Sequence, residues 1–360
     1  MLDRMSLARR ALHRDGGRRP RPDRGSAPRQ GLAVLSGLLL LATVGCSSGG
    51  DSEQAAPERG EAGTSPAGCA VTDPADGAAA STSEVTASAT IADAAPTGVA
   101  ATEDAVWVAA AAALTGTLTQ IDPATAEIRS VSVIGNLPGG IAATDDSVWV
   151  TNREVGNIQR IDAETQDVVI TLPIDRPGEI AASDDAVWVV DRADSTVVQI
   201  DPATNTVGDS FPVGGPVDLA VAGDDLWVTD GRHEAVERID TATGDVTATI
   251  PIDSPGALVA TDAGVWVTSR SANTASCIDP STDEVAVTVA VGSLPTGLAA
   301  SDGALWVTSS VDGTVERVDR TVNEVTATTP VGGFPSSVAM SGDGVWVIDR
   351  SSADVVRLSR

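Results

Sequence analysis

Beyond residue 83 the chain holds a single histidine, His233, in the run Gly231-Arg232-His233-Glu234. An imidazole beside a carboxylate can serve as a general base, since it titrates near neutral pH and the acid can orient it. His233 and Glu234 are therefore the candidate catalytic pair. Nothing beside them in the sequence supplies a nucleophile or an oxyanion donor, and neighbours in a turn need not point together.

Arginines form a second constellation. Arg153, Arg192, Arg270 and Arg350 each stand four residues after a Trp, and Asp191 and Asp349 directly precede two of them. Asp230 holds the preceding position in the copy that carries Arg232 and His233. Guanidinium forks at equivalent loops can clamp a carboxylate, a phosphate or an acidic peptide. Arg153, Arg192, Asp191, Asp230, Arg232, Arg270, Asp349 and Arg350 thus make up the candidate ligand-binding set. Their plainer role is an exposed ion pair with the adjacent Asp or with an acid of the next repeat, worth about 0–1 kcal/mol.

Other chemistries find no support in the residue pattern. No Cys and His cluster suits zinc, haem or iron–sulfur ligation, and neither a phosphate-binding Gly-rich loop with Lys nor a nucleophile-elbow serine occurs. Asp104, Asp146, Asp185, Asp225, Asp262, Asp302 and Asp343 recur in short turns. They lack the alternating spacing of a calcium loop, so they read as turn formers. No cofactor and no metal are expected from these residues alone.

What positions these side chains is a repeat. The seven Trp, at 107, 149, 188, 227, 266, 306 and 346, lie 42, 39, 39, 39, 40 and 40 residues apart. A period that steady denotes a repeat architecture. Each copy has four short runs rich in Val, Ile and Thr, which favours strands over helices. The first is exemplified by Glu179 to Ala182, the second by the VWV run at Val148 to Val150, the third by Asn157 to Asp162 and the fourth by Asp167 to Leu172. Residues such as Asp201-Pro202-Ala203-Thr204 suit a tight turn between third and fourth. Four antiparallel strands cannot bury both faces alone, whereas seven such sheets set radially can. Alternation then puts Val148 and Val150 against one neighbouring sheet and Trp149 against the other.

The last copy ends after its third run, 354–360, while an orphan fourth-type run, 84–91, precedes the first copy. The expectation is an all-β, seven-bladed β-propeller of four-stranded antiparallel blades, closed when strand 84–91 completes the carboxy-terminal blade. Closure removes exposed sheet edges.

The copies resemble the YVTN-type seven-bladed propeller repeat, on the strength of "VWVTN" at Val148 to Asn152, "TVVQIDPATNTV" at Thr196 to Val207 and "ATIPI" at Ala248 to Ile252. The resemblance covers about residues 84–360 and implies the fold. Streptogramin B lyases are more distantly similar. That likeness implies a His and carboxylates at one mouth of the channel aided by a divalent metal, and here it would engage His233.

Residues 1–45 read as an export signal, with nine Arg before the apolar run Gly31 to Gly45. Its end, "LLATVGCSSGG", resembles a bacterial lipoprotein signal that would be cut before Cys46 and lipidated there. Residues 46–83 have little to bury and read as a disordered tether. Removing residues 1–45 takes away nine Arg and three Asp from 23 basic and 50 acidic residues, leaving 14 against 47, or a net charge of −33. Such a surface repels nucleic acid and gains nothing from an anionic membrane, so any attachment must come through the lipid. In an oxidising compartment Cys69 and Cys277 can pair, or each can stay a thiol or bond another molecule. The expected function is a monomeric, non-enzymatic binding or scaffold module outside the cytoplasm. It would be anchored through Cys46, or otherwise secreted, and would offer a propeller face to a protein, peptide or small anion. The alternative is a lyase-like enzyme using His233 and a divalent metal.

Overall fold

The structure is a computed structural model that describes Cys69 and residues 83–360 apart from Asp93, Leu114 and Asp302. The expected export signal, lipidation at Cys46 and most of the tether lie outside the described residues. Among them no helix is long and apolar enough to cross a membrane.

Each repeat folds as one antiparallel sheet with its strands in chain order. In the second blade these are Pro138–Ala143, Ser147–Asn152, Asn157–Asp162 and Val168–Pro173. The turn from third to fourth strand shows why its residues recur. Asp162 accepts hydrogen bonds from the amides of Glu164 and Thr165, at 3.0 and 2.8 Å, and Gln166 takes a left-handed φ of 61°. Asp201 and Asp240 do the same, with Asn205 and Gly244 at φ 57° and 76°. Asn and Gly carry that conformation at little cost.

Seven four-stranded sheets result. The seventh consists of Pro335–Ser341, Gly344–Asp349, Asp354–Ser359 and, as its outer strand, Val85–Thr90. Val85 pairs with Leu358 and Thr90 with Asp354, so the ring closes as the sequence predicts.

The second strands form the wedges between blades. Trp149 packs with Val187 and Val189 of the next blade, while Val148 and Val150 receive Trp107 of the preceding one. The same relation runs around the ring and returns with Trp346 against Val106 and Val108. Every Trp is at least 98% buried, which removes roughly 150–250 Å² each from water. A buried threonine follows the wedge: Thr151 Oγ1 accepts the Gly140 amide and donates to the Gly178 carbonyl of the next blade, both at 2.8 Å. Thr229 donates likewise to the Gly256 carbonyl, at 3.1 Å.

Cys69 and Cys277 form a disulfide, with their Cα atoms 6.1 Å apart. Cys277 stands opposite Trp266 across the hairpin, where four other blades place arginine and two place glutamine. Arg160 lies over Trp149 at 5.4 Å and Arg238 over Trp227 at 5.3 Å. In the fifth blade Cys69, bonded to Cys277, joins the core around Trp266, Leu305 and Val307.

Candidate functional site

The first strands of all seven blades surround a central cavity of about 400 Å³, and Arg192, Arg270 and Arg350 line it. These arginines sit in the loops after the wedge strands, which topology places on one face of the ring. Arg153, Arg192 and Arg270 each depend on a glycine in their own first strand. A Cβ on Gly139 would overlap the Arg153 guanidinium stem, and one on Gly178 or Gly256 would come within 2.9 Å of Arg192 Nε or 3.0 Å of Arg270 Nε. In the fourth blade the sizes are exchanged, Gly231 lying beneath Val217. In the sixth, Ser310 Oγ hydrogen-bonds Thr296 Oγ1 at 2.6 Å. This Arg-with-Gly pairing is a signal present in the sequence that spacing from Trp alone does not expose.

The arginines differ in partner. Arg153 Nη2 lies 3.0 Å from Glu179 Oε1 and Arg192 Nη2 lies 4.0 Å from the same oxygen. Glu179 belongs to the third blade, so Arg153 pairs with an acid of the next repeat. Desolvation, then the nearby charge of Arg153, holds the Arg192 guanidinium below its ordinary range. Arg350 Nη2 donates to the Thr97 carbonyl at 3.3 Å, and the Arg270 side chain faces the cavity without a hydrogen-bond partner among the described residues.

Asp191, Asp230 and Asp349 are buried and fold the loops themselves. Asp191 accepts the Ala193 amide at 2.9 Å. Asp349 accepts those of Ser351 at 2.9 Å and Phe334 at 3.0 Å. Burial works to raise the Asp349 carboxyl, yet these hydrogen bonds outweigh it and hold the group below its usual value. Of the two phenylalanines, Phe211 is buried against Trp188, with ring centroids 5.5 Å apart, and Phe334 lines the cavity.

Around His233 the structure brings together a different set from the one adjacency suggests. Asp230 Oδ1 accepts the amides of Arg232 and His233, at 2.8 and 3.0 Å, which folds the turn. Asp230 Oδ2 then lies 2.6 Å from His233 Nδ1. Gly214 leaves room for the ring, since a Cβ there would overlap it. Glu234 takes a left-handed φ of 53° and stays out of the cluster. Glu237 enters instead, and the ligating atoms of Asp230, His233 and Glu237 all lie within 4.8 Å of one another. Arg232 contributes only its backbone amide to this turn.

Glu237 is 9% exposed, and its Oε2 is buried with no hydrogen-bond partner. Burial, reinforced by the Asp230 charge, pushes its carboxyl up. Burial also tends to raise Asp230, but the amide and imidazole hydrogen bonds prevail and its carboxyl stays low. The signal for Glu237 in the sequence is faint. It lies seven residues after Asp230, as Gln159 follows Asn152 and Glu316 follows Ser309, and both of those pairs hydrogen-bond, at 3.1 and 2.7 Å. In those blades the acceptor also takes a loop amide, from Gly135 at 2.8 Å and from Gly292 at 3.1 Å.

No protein-family model matches this sequence, and no curated protein matches it. Among solved structures the chain is similar to Kuenenia stuttgartiensis hydrazine synthase, with a TM-score of 0.66 and 17% identity, over 76% of this chain and 97% of that one. At that identity the likeness shows the fold alone.

Proposed function

We propose that this protein is a lyase-like propeller that depends on a divalent cation, held by Asp230, His233 and Glu237. The observation that carries this reading is the buried, unpartnered Glu237 Oε2 beside a second carboxylate and an imidazole. An isolated buried carboxylate oxygen is costly, and a cation is the partner that would satisfy it. One nitrogen and two oxygens suit a first-row divalent ion such as zinc or manganese. His233 is 58% exposed, which leaves the site open on one side to a reacting group. A bound ion would supply Lewis-acid polarisation of a substrate oxygen. Asp230, fixed by two loop amides, would orient the imidazole, and Gly214 would keep the ring's approach clear.

Calorimetric titration with zinc, manganese and magnesium chloride tests the site. Binding of one ion per chain is expected, weakened by more than about tenfold in His233→Ala and Glu237→Gln, since loss of even an outer-shell partner of a metal ligand costs about that much. Failure of all three ions to bind the wild-type protein sinks the proposal. A streptogramin B substrate, offered with and without the bound ion, tests turnover separately.

A second reading is a non-enzymatic binding module of YVTN type, secreted or anchored through Cys46. It is supported by Arg192, Arg270 and Arg350 converging on one cavity. Titration with succinate and with inorganic phosphate should show binding that is lost when Arg153, Arg192, Arg270 and Arg350 are replaced together. Binding retained by that folded variant would sink the arginine reading. Intact mass measurement of the membrane-extracted protein reads the lipid on Cys46 directly.

A further inference from the structure

We propose that the central channel takes a small zwitterion, an amino acid or short peptide, with its carboxylate on Arg270 and Arg350 and its protonated amine at Asp218 and Glu179. This deepens the second reading above and rests on it. In the third and fourth blades, which are adjacent, the third residue of the innermost strand is Glu179 and Asp218. Both line the cavity.

Glu179 pairs with Arg153 at 3.0 Å and lies 4.0 Å from Arg192, but Asp218 and Arg270 have no partner of opposite charge among the described residues. Asp218 is held in place by two amides, Leu219 of its own strand and Leu258 of the next blade, each at 2.9 Å. Among the described residues no cationic side chain hydrogen-bonds or ion-pairs with it. Across the same cavity Arg270 is equally without an anionic partner among them, and the two groups sense each other's charge without touching. Desolvation and then the Glu179 charge push the Asp218 carboxyl up to about 7. A site that disfavours its own negative charge is one that a cation relieves. On the arginine side, desolvation first and then the Arg153 charge lower Arg192, with Glu179 opposing them, and an anion at this rim would offset both causes.

A purely anionic ligand would satisfy the arginines and aggravate the acid pair; an amine alone would do the reverse. A molecule with opposite charges at its two ends meets both needs, and a cavity of about 400 Å³ holds one of amino-acid to dipeptide size. The polar groups on the walls of a largely preformed pocket would then set its orientation.

The test is calorimetric titration of the folded protein with the twenty amino acids, glycylglycine and alanylalanine. Each binder is then compared with its N-acetylated and its C-amidated forms. At least one zwitterion should bind, and acetylation or amidation should each weaken it at least about tenfold, the scale of one charge-assisted hydrogen bond. Glu179→Gln and Asp218→Asn should weaken the zwitterion to a similar degree and leave the acetylated form within about twofold. Two variants are used because the carboxamide introduced by Asp218→Asn has a single acceptor oxygen for the two backbone amides that now bond the carboxylate. Melting curves identify any variant that fails to fold. Acetylated forms that bind as tightly as free ones would overturn the zwitterion while leaving the arginine reading intact. If no member of the panel binds, the proposal is overturned, and the succinate and phosphate titrations decide the arginine reading on their own.

Discussion

Trp346 of the last blade packs against Val106 of the first, and both are completely buried. That contact is the seventh repetition of one wedge, and it exists only because the two ends of the chain meet. Beside it, Val85–Thr90 pairs with Asp354–Ser359 in the same blade, so the closing joint has both a packing and a hydrogen-bonding component. Trp346→Ala should cost about 3–5 kcal/mol, the range for truncating a buried large aromatic. Chemical denaturation measures it. Removing residues 84–91 should be more damaging, because it also exposes the edge of strand Asp354–Ser359, and aggregation measured by light scattering should rise.

The cation site makes a prediction independent of turnover. If Asp230, His233 and Glu237 hold a divalent ion in the folded state only, saturating zinc or manganese should raise Tm, with about 2.7 kcal/mol expected at one hundred times Kd. Glu237→Gln should itself be stabilising or neutral without metal, since it removes a buried charge beside Asp230, and should lose the metal response. A thermal scan of both proteins, with and without the ion, decides this.

The pH dependence has a definite sign. The Asp218 carboxyl rises from an ordinary 3.8 to about 7, so its contribution is fully present below about pH 4 and lost as pH rises through about 7. Glu237 is raised too and acts in the same direction. The turn carboxylates behave oppositely. Hydrogen bonds from the Thr125 amide and the Arg129 side chain bring Asp122 to about 2, and Asp162, Asp201 and Asp240 are lowered for similar reasons. Their contribution is present above about pH 4 and fades in stronger acid. Between about pH 5 and pH 8 the acidic channel therefore dominates, and wild type should lose roughly 1–4 kcal/mol that Asp218→Asn in large part retains. Urea midpoints at the two pH values measure the difference.

The disulfide predicts a response to reduction. Cys69 and Cys277 are separated by 208 residues, and cross-links closing long loops restrict the unfolded chain most. Replacing both by serine should cost about 2–5 kcal/mol and leave metal and ligand affinities unchanged, since neither cysteine lines the cavity or the His233 cluster. Denaturation of the oxidised, reduced and doubly substituted proteins tests this.

Much of the architecture was legible before any coordinate. Seven Trp at a nearly constant period indicate the number of blades, and the orphan run before the first copy indicates how the ring closes. Even the wedge direction of Trp149 follows from alternation, because successive side chains of a strand must face opposite ways. The loop positions of Arg153, Arg192, Arg270 and Arg350 follow from counting past the Trp. These features depend on local periodicity, and a linear string records periodicity faithfully.

The site is another matter. Adjacency pairs His233 with Glu234, whereas the turn sends Glu234 into a left-handed conformation and the hairpin register carries Glu237 back beside Asp230. Along the chain Glu179 and Asp218 stand in equivalent strand runs of two successive repeats, and the ring sets them in one channel with arginines from other repeats. The sequence by itself determined the repeat, the sheet and the closure, since each follows from spacing along one chain. Only the tertiary structure decided which charges share a cavity and which carboxylate oxygen is left without a partner. Those properties depend on distances across blades and on exclusion of water, and separation along the chain encodes neither.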